Sequence, residues 1–409
     1  MPVTPQGRTR LVIVNTHPIQ YFAPFYAELV KHWGGKFKVV YGSKRGIVAA
    51  PDEGFAASFQ WDMDLLSGYD YEFTSEADNN ATRPAAALRC WSLSRCLSRL
   101  DPEIILVHGY SDPLARAALR WAWTSKRPIL LRGDTWSGPG ERSGAWRRRA
   151  KRVLLRLLLA PKVTRFLAVG ARNAAYWSEI GGRDAKIRHV PYGIDSRRFY
   201  PAPDLDWRIA TRQRYGFAHN DRIIGYFGKF TEKKGILPLL TAFKRVAPAG
   251  SDCKIVLVGD GPLRPEIEAL CADYPVKIVL LGFRNQSEIA NLYRIVDLKV
   301  VPSIFEETWG FAVQEALACG VPVAVSDVVG CAPDLVVPGV NGWVLPAGAW
   351  PQWARFISSW LANPDSAVAK SARALANKVP DFSVSAEALA RVLEEVLGEL
   401  KLINGYRDT

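Results

Sequence analysis

The stretch KIVLVGDGPLRPEIEALCADYPVKIVLLGFRNQSEIANLYRIVDLKVVPSIFEETWGFAVQEALACGVPVAVS, residues 254–326, decides how this chain folds. Four apolar runs of strand length, KIVLV, KIVLL, LKVV and VPVAVS, are separated by segments of helical period. Strands that are apolar throughout are buried on both faces. Their alternation with helices implies a parallel sheet with right-handed crossovers. Upstream, RIIGYF (residues 222–227) adds another strand to the series. The N-terminal half repeats the pattern with RLVIVN, FKVVY, EIILV, PILL and RFLAV, and a helix is expected near Tyr21 to Lys31. Between the two series lies VPYGIDSRRFYPAPDLD, Val190 to Asp206, rich in proline and turn formers and read as a linker. The prediction is an α/β chain of two Rossmann-like, doubly wound domains facing an interdomain cleft. Residues 1–196 are expected to form the first, N-terminal domain, 197–380 the second, and 381–409 a helical tail that returns to the N-terminal domain.

Open parallel sheets bind ligands beyond the carboxyl ends of their strands. In the first half those ends carry Asn15 to Pro18, Tyr41–Gly42, His108 to Tyr110, Arg132 to Asp134 and Gly170. In the second half they carry Gly228–Lys229, Gly259 to Gly261, Gly282 to Arg284, Pro302–Ser303 and Ser326–Asp327. Glycines and polar residues therefore gather where a ligand would sit.

Composition narrows the class. The six cysteines of 409 residues form no CxxC pair, which argues against a disulfide framework or zinc ribbon and for a reducing compartment. MPVTPQGRTR carries no apolar signal core, and LVIVN is far short of the roughly 20 apolar residues that span a bilayer. The expected location is the cytoplasm or the inner face of its membrane. A net charge of +13 suits nucleic acid, an anionic membrane surface or phosphorylated small molecules. No zinc-finger, RNA-recognition or helix-turn-helix pattern supports a nucleic-acid partner, and none is expected. The charge peaks in RSGAWRRRAKRVLLR, residues 142–156. That segment reads either as a solvated helix face or, because basic residues flank Trp146 and a leucine cluster, as a contact with an anionic membrane. Val153, Leu154, Leu157 and Leu158 are an apolar stripe that either faces the core or inserts.

The chemistry concentrates in PSIFEETWGFAVQEALACGVPVAVSDVVGCAPDLVVPGVNGWVLPAG, Pro302 to Gly348. Seven residues separate Glu307, in a turn before Gly310, from Glu315 in the helix that follows. The helix start at Gly310, Phe311, Ala312 and Val313 offers backbone N–H groups and a positive dipole end, a ready seat for a diphosphate. A lone glutamate is ordinarily a solvent-facing residue; here two of them flank such a seat. This segment resembles the retaining glycosyltransferases of family 4, which have the GT-B fold. Glu307, Glu315-Ala316, Ala318, Gly320 and Pro322-Val323 match that family's E-x7-E and EA-x-A-x-G-x-PV signature. Gly330, Asp334, Gly339, Asn341 and Gly342 match its trailing positions. The resemblance implies that Glu315 binds the donor ribose and that Glu307 lies near the donor sugar.

GYFGKFTEKKGILPLLTAF, Gly225 to Phe243, looks like the family's G-R-L-x-x-x-K-G segment, with Gly228, Lys229 and Lys234-Gly235 in place. Lysine stands where the family usually has arginine, so Lys229 acts as a point charge rather than a fork on two phosphate oxygens. LVGDGPLRPEIEAL and VLLGFRNQSEIANLYRIVDLKVVPS match further family segments, which puts Phe283 and Arg284 at the nucleobase. In the N-terminal half, His108 follows a strand where the family commonly has a cleft histidine; the resemblance implies a catalytic residue in contact with the donor sugar or the reacting region, a core histidine being the alternative. His17 replaces a Gly-Gly loop and reads as a phosphate contact or a helix cap. Asp62-Met63-Asp64 has metal-motif spacing without a nucleotide-binding context, and no metal or resident cofactor is expected. Arg132-Gly133-Asp134 is an adhesion tripeptide elsewhere; here it ends a buried strand. The resemblance, best over residues 160–350, implies metal-independent, hexosyl-type transfer with retention from a nucleotide-sugar donor to a glycan or lipid-linked acceptor, as in surface polysaccharide synthesis. Lys229, Lys234 and the helix N-terminus would stabilise the leaving diphosphate. A sugar-nucleotide epimerase or a phosphorylase of the same architecture is the rival enzyme, and a nucleic-acid-binding protein the rival class.

Overall fold

The computed structural model describes residues 9–405 apart from 53, 56, 139–144, 182, 200–203, 248–251, 306 and 364–365. The first half alternates β1 (Leu11–Asn15), α1 (Ala23–His32), β2 (Phe37–Tyr41), a hairpin β3 (Ala50–Asp52) and β4 (Ala57–Phe59), β5 (Tyr71–Phe73), α2 (Leu93–Leu100), β6 (Ile104–His108) and α3 (Pro113–Thr124). It continues with β7 (Ile129–Gly133), α4 (Ala145–Leu158), β8 (Arg165–Ala168), α5 (Ala171–Glu179) and β9 (Ile187–His189). These strands form a seven-stranded sheet of order β5-β2-β1-β6-β7-β8-β9, parallel throughout, with the hairpin outside it.

The second half runs α6 (Ser196–Phe199), α7 (Leu205–Arg214), β10 (Arg222–Phe227), α8 (Ile236–Lys244), β11 (Cys253–Val258), α9 (Arg264–Cys271), β12 (Lys277–Gly282), α10 (Gln286–Ile295) and β13 (Leu298–Val301). Then come α11 (Phe311–Ala318), β14 (Val323–Ser326), α12 (Ala332–Leu335), β15 (Gly342–Leu345), α13 (Trp350–Ala362), α14 (Ser366–Leu375) and α15 (Phe382–Gly405). Its sheet has six parallel strands in the order β12-β11-β10-β13-β14-β15.

Every strand with a continuous apolar run is present. Those without one, β5, β9 and β15, lie at sheet edges, where one flank is uncovered and part-exposed residues such as Tyr71 and Val344 are tolerated. Each sheet reverses its strand order once, between β1 and β6 and between β10 and β13. Loops leaving the two sides of such a reversal diverge and leave a crevice. The loops after β1, β10 and β13 therefore frame the site.

The chain crosses between the domains twice, at one place. The Ile194 N–H donates to Pro380 O (3.2 Å), and the Phe382 N–H donates to Ile194 O (3.2 Å). Gly193 sits so close that a Cβ there would stand 2.2 Å from Asp381 O, so only glycine fits. After the second crossing, α15 packs along α1: Leu389, Leu393 and Val396 share a core with Phe25 and Leu29. Glu395 of α15 pairs with Arg165 (2.8 Å) and Arg188 (2.5 Å). Hydrogen bonds from Arg188, with Arg165 in support, outweigh the effect of burial and hold its carboxyl down at about 2. Among the described residues no helix is long and apolar enough to cross a membrane.

Candidate active site

Between the carboxyl ends of the two sheets lies a cavity of about 420 Å³. Its lower wall is the second domain: Gly228 and Lys229 after β10, the turn after β13, and the start of α11. Its upper wall is the first domain: Gln20 and Tyr21 after β1, Asp52 and Phe55 from the hairpin, and Asp134 after β7.

The turn after β13 ends at Gly310, whose φ of 100° is a left-handed conformation that starts α11 without a side-chain cap. That turn brings Glu307, Phe311 and Ala312 to the cavity. Val313 is one residue too deep. It is fully buried, and its N–H donates to Gly310 O (2.8 Å). Glu307 pairs with Lys234 and accepts from Ser303 Oγ (3.0 Å). Burial raises its proton affinity, but Lys234 and Ser303 prevail and hold the carboxyl below its usual range.

Glu315 is buried one helical stretch further on. Tyr293 donates to its Oε2 (2.8 Å), and Tyr21 of the first domain donates to its Oε1 (2.9 Å). Burial nevertheless pushes its carboxyl upward, against both hydrogen bonds. The Tyr21 ring lies flat on Phe311, with centroids 3.7 Å apart and planes 3° from parallel.

Lys229 reaches across the cleft to Asp52 Oδ1 (2.7 Å), its ammonium 4.7 Å from the Phe55 ring centre. Burial resists, but Lys229 keeps the Asp52 carboxyl below its normal range. Phe283 packs edge-on to Phe55 (4.9 Å) and tilted to Trp61 (6.5 Å), so aromatic walls from both domains meet there. Arg284 lines the same end and pairs with Glu288 at 3.3 Å.

Two expected residues lie elsewhere. His108 does not line the cavity. It packs against the Phe22 ring at 4.6 Å and shares a 3.0 Å hydrogen bond with Tyr26. Burial, aided by Arg132, drives its basicity well below normal, so it is a neutral, core-facing imidazole. His17 is also away from the cavity. Its Nδ1 is 3.0 Å from Thr16 Oγ1, it caps no helix because the α1 cap is Phe22, and burial and Arg45 lower it to about 4. The reason is shared: α1 begins at Ala23, so the loop after β1 presents Gln20 and Tyr21 inward instead.

The structure brings in residues with no motif. Asp134 lines the cavity and accepts from Thr308 Oγ1 (2.9 Å); burial raises its carboxyl. Its only sequence signal is its place at the end of β7. Lys299 lies fully buried in β13, its ammonium 4.6 Å from the Phe227 ring centre and 5.0 Å from that of Tyr293. Burial lowers it to about 7 against the pull of Glu315. Asp62 and Asp64 do not converge: Asp62 accepts from the Ser287 N–H (3.2 Å) across the cleft, and Asp64 from the Leu66 N–H (2.9 Å) in its own turn.

Residues 208–379 match the family described as glycosyl transferases group 1. An uncharacterized glycosyltransferase of Methanocaldococcus jannaschii is 32% identical over 43% of this chain and 46% of its own length. A GDP-mannose-dependent monoacylated alpha-(1-6)-phosphatidylinositol monomannoside mannosyltransferase of Corynebacterium glutamicum is 27% identical over 52% of this chain and 57% of its own. The chain thus spans about half the length of the curated relatives it matches. Among solved structures, HepE of Anabaena in complex with UDP and glucose superposes with a TM-score of 0.70 over 95% of this chain and 100% of its own, at 17% identity. The architecture is GT-B, two Rossmann-like parallel sheets facing a cleft.

Proposed function

We propose, from the place of residues 208–379 in the group 1 glycosyl transferases, that the chain moves a sugar from a nucleoside diphosphate to an acceptor hydroxyl with retention of configuration. The observation that carries this is the cavity itself: it gathers Lys229, Lys234, Glu307, Glu315 and the start of α11 in a single space. HepE binds UDP and glucose and the Corynebacterium relative is GDP-mannose-dependent, which supports a nucleotide-sugar donor.

In this reading the diphosphate sits at the α11 N-terminus near Gly310, Phe311 and Ala312, with Lys229 and Lys234 neutralising the departing charge without a metal. Glu315 accepts the ribose hydroxyls, and the base enters the aromatic end at Phe283 and Arg284. Glu307, kept ionised by Lys234, accepts from hydroxyls of the donor sugar. The bond from the anomeric carbon to the leaving phosphate oxygen breaks, the acceptor oxygen bonds to the same face, and its proton passes to the leaving phosphate. The acceptor enters from the first domain beside Asp134. A glycan or lipid-linked acceptor is the class supported by the Corynebacterium relative's substrate.

The test incubates the chain with a panel of nucleotide sugars and candidate acceptors, with excess chelator in parallel, and reads the product's anomeric configuration by NMR. Retention in both arms is expected. An inverted product refutes the mechanism, and activity that needs added magnesium or manganese refutes metal independence. Donor epimerisation, or phosphorolysis without acceptor transfer, reassigns the enzyme.

A further inference from the structure

The basic helix α4 turns its apolar stripe outward. Trp146, Val153, Leu154, Leu157 and Leu158 are 72%, 50%, 56%, 67% and 55% exposed. At 3.6 residues per turn all five fall on one face. Lys151 borders that face on one side and Arg149 and Arg156 on the other, while Arg147 falls at its N-terminal end between Leu154 and Leu158 in projection, and all four are exposed. The opposite face holds the helix down. Arg152 donates to Ser137 Oγ (3.1 Å) and pairs with Glu179 (3.5 Å), while Leu155 and the following Leu159 pack on the first domain's core. The reading of the stripe as the helix's core face is overturned: the core takes Leu155 and Leu159 instead. Arg142, of the same basic segment, lies outside the described residues.

An exposed strip of tryptophan, valine and leucines costs solubility unless something covers it. Its composition names the cover. A second copy of the chain, seated on the same face by two-fold symmetry, would oppose arginine to arginine. A nucleic-acid backbone would satisfy the arginines but leave the apolar centre against phosphate and water. A bilayer surface satisfies both: acyl chains take the centre and anionic headgroups take the two basic borders. We propose that α4 is a membrane-docking helix that lies in the plane of an anionic lipid surface.

The position gives the docking a use. The chain passes from Asp134, which lines the cavity, through Trp136, whose indole donates to Glu307 O (3.3 Å), and on to α4. Arg152 of α4 holds Ser137 (3.1 Å), so the docking helix is tethered beside the first-domain wall of the cavity, where the acceptor is placed. This consequence rests on the transferase reading; the docking itself does not.

The experiment sediments the whole chain, without donor, with vesicles of phosphatidylcholine alone or mixed with phosphatidylglycerol, at low and high salt. Binding is expected to the anionic vesicles, weakened but not abolished by salt, because the apolar share is unscreened. Changing Arg147, Arg149 and Lys151 to Ser should lower partitioning about a hundredfold, each basic residue near such a surface being worth about a factor of five. Leu154→Ser with Leu157→Ser should lower it at least about tenfold, from lost burial of methylene groups. Both sets change exposed side chains, and unaltered circular dichroism and thermal midpoint verify the fold. No binding to anionic vesicles at low salt overturns the proposal. So does a wild-type dimer that both variant sets convert to monomer with no effect on vesicles, or retention of duplex DNA with no vesicle binding. Because no donor is present, failure here leaves the transferase reading standing, and the reverse holds equally.

Discussion

Tyr21 closes the cleft on the residue assigned to the donor ribose, so removing it should tighten nucleotide binding. Both tyrosines line the cavity, but Glu315 spends Oε2 on Tyr293 of its own domain and Oε1 on Tyr21, which reaches it from the first domain and leaves when the cleft opens. A ribose approaching through the cavity must take the second place. The contact to be broken is a hydrogen bond to a charged group, about 1.5–3 kcal/mol. To this is added a stacked aromatic pair, about 0.5–1.5 kcal/mol beyond its area. Tyr21→Phe removes the first and keeps the ring on Phe311. Its nucleoside diphosphate affinity should rise about tenfold or more, since about 1.4 kcal/mol is a factor of ten. Tyr21→Ala removes both and should rise about thirtyfold or more, for about 2 kcal/mol. The assay is isothermal titration with uridine, guanosine and adenosine diphosphates, so that whichever base is bound supplies the comparison. Affinities within twofold of wild type, or weaker, for both variants would falsify the assignment of Oε1 to the ribose.

Lys234→Ala should cut turnover about a hundredfold or more while leaving donor affinity less changed, as expected for charge aimed at the leaving group; weakened donor affinity with turnover unchanged would mean ground-state binding only. Lys299→Met should flatten the pH dependence of stability. The buried amine titrates near 7 and the unfolded one near 10.5, so the unfolded chain binds more protons between those values and wild-type stability rises with pH there. From pH 7.5 to 9.5 wild type should gain about 2–3 kcal/mol relative to Lys299→Met in urea titrations, and parallel curves would refute the buried neutral amine.

The strands, their parallel alternation and the residues that the second domain turns to the cavity are legible in the sequence because each rests on local chemistry. A doubly buried strand has to be apolar along its length, as KIVLV is, and a helix that opens onto a ligand needs a turn like that at Gly310. Glu307, Lys229, Lys234, Phe283 and Arg284 all meet in the cavity for that reason. The first domain's contribution is not local. Tyr21 has meaning only once α1 and α11 face each other, two hundred and more residues apart in the chain. His108 has the right place after β6, yet Phe22 covers it, and no pattern in the sequence records which ring of the loop turns in. Asp134 stands at a strand end like many spectators, and only the Thr308 hydroxyl opposite it marks the difference. The orientation of α4 is undecidable from periodicity because two of its faces carry leucines; Leu155 and Leu159 face inward, while Leu154, Leu157 and Leu158 face outward.

The seating of α15 on α1 bears on how the molecule is made. The core beneath α1 is completed by Phe382, Leu389, Leu393 and Val396. On a ribosome, the first domain's strands emerge early, and domains ordinarily fold as they emerge. Here the cover for that core is translated only after the whole second domain. The nascent first domain must wait with Phe25 and Leu29 uncovered, while the second domain, contiguous from α7 to α14, folds without it. Folding in chain order thus leaves the first domain's core unfinished until α15 has been made.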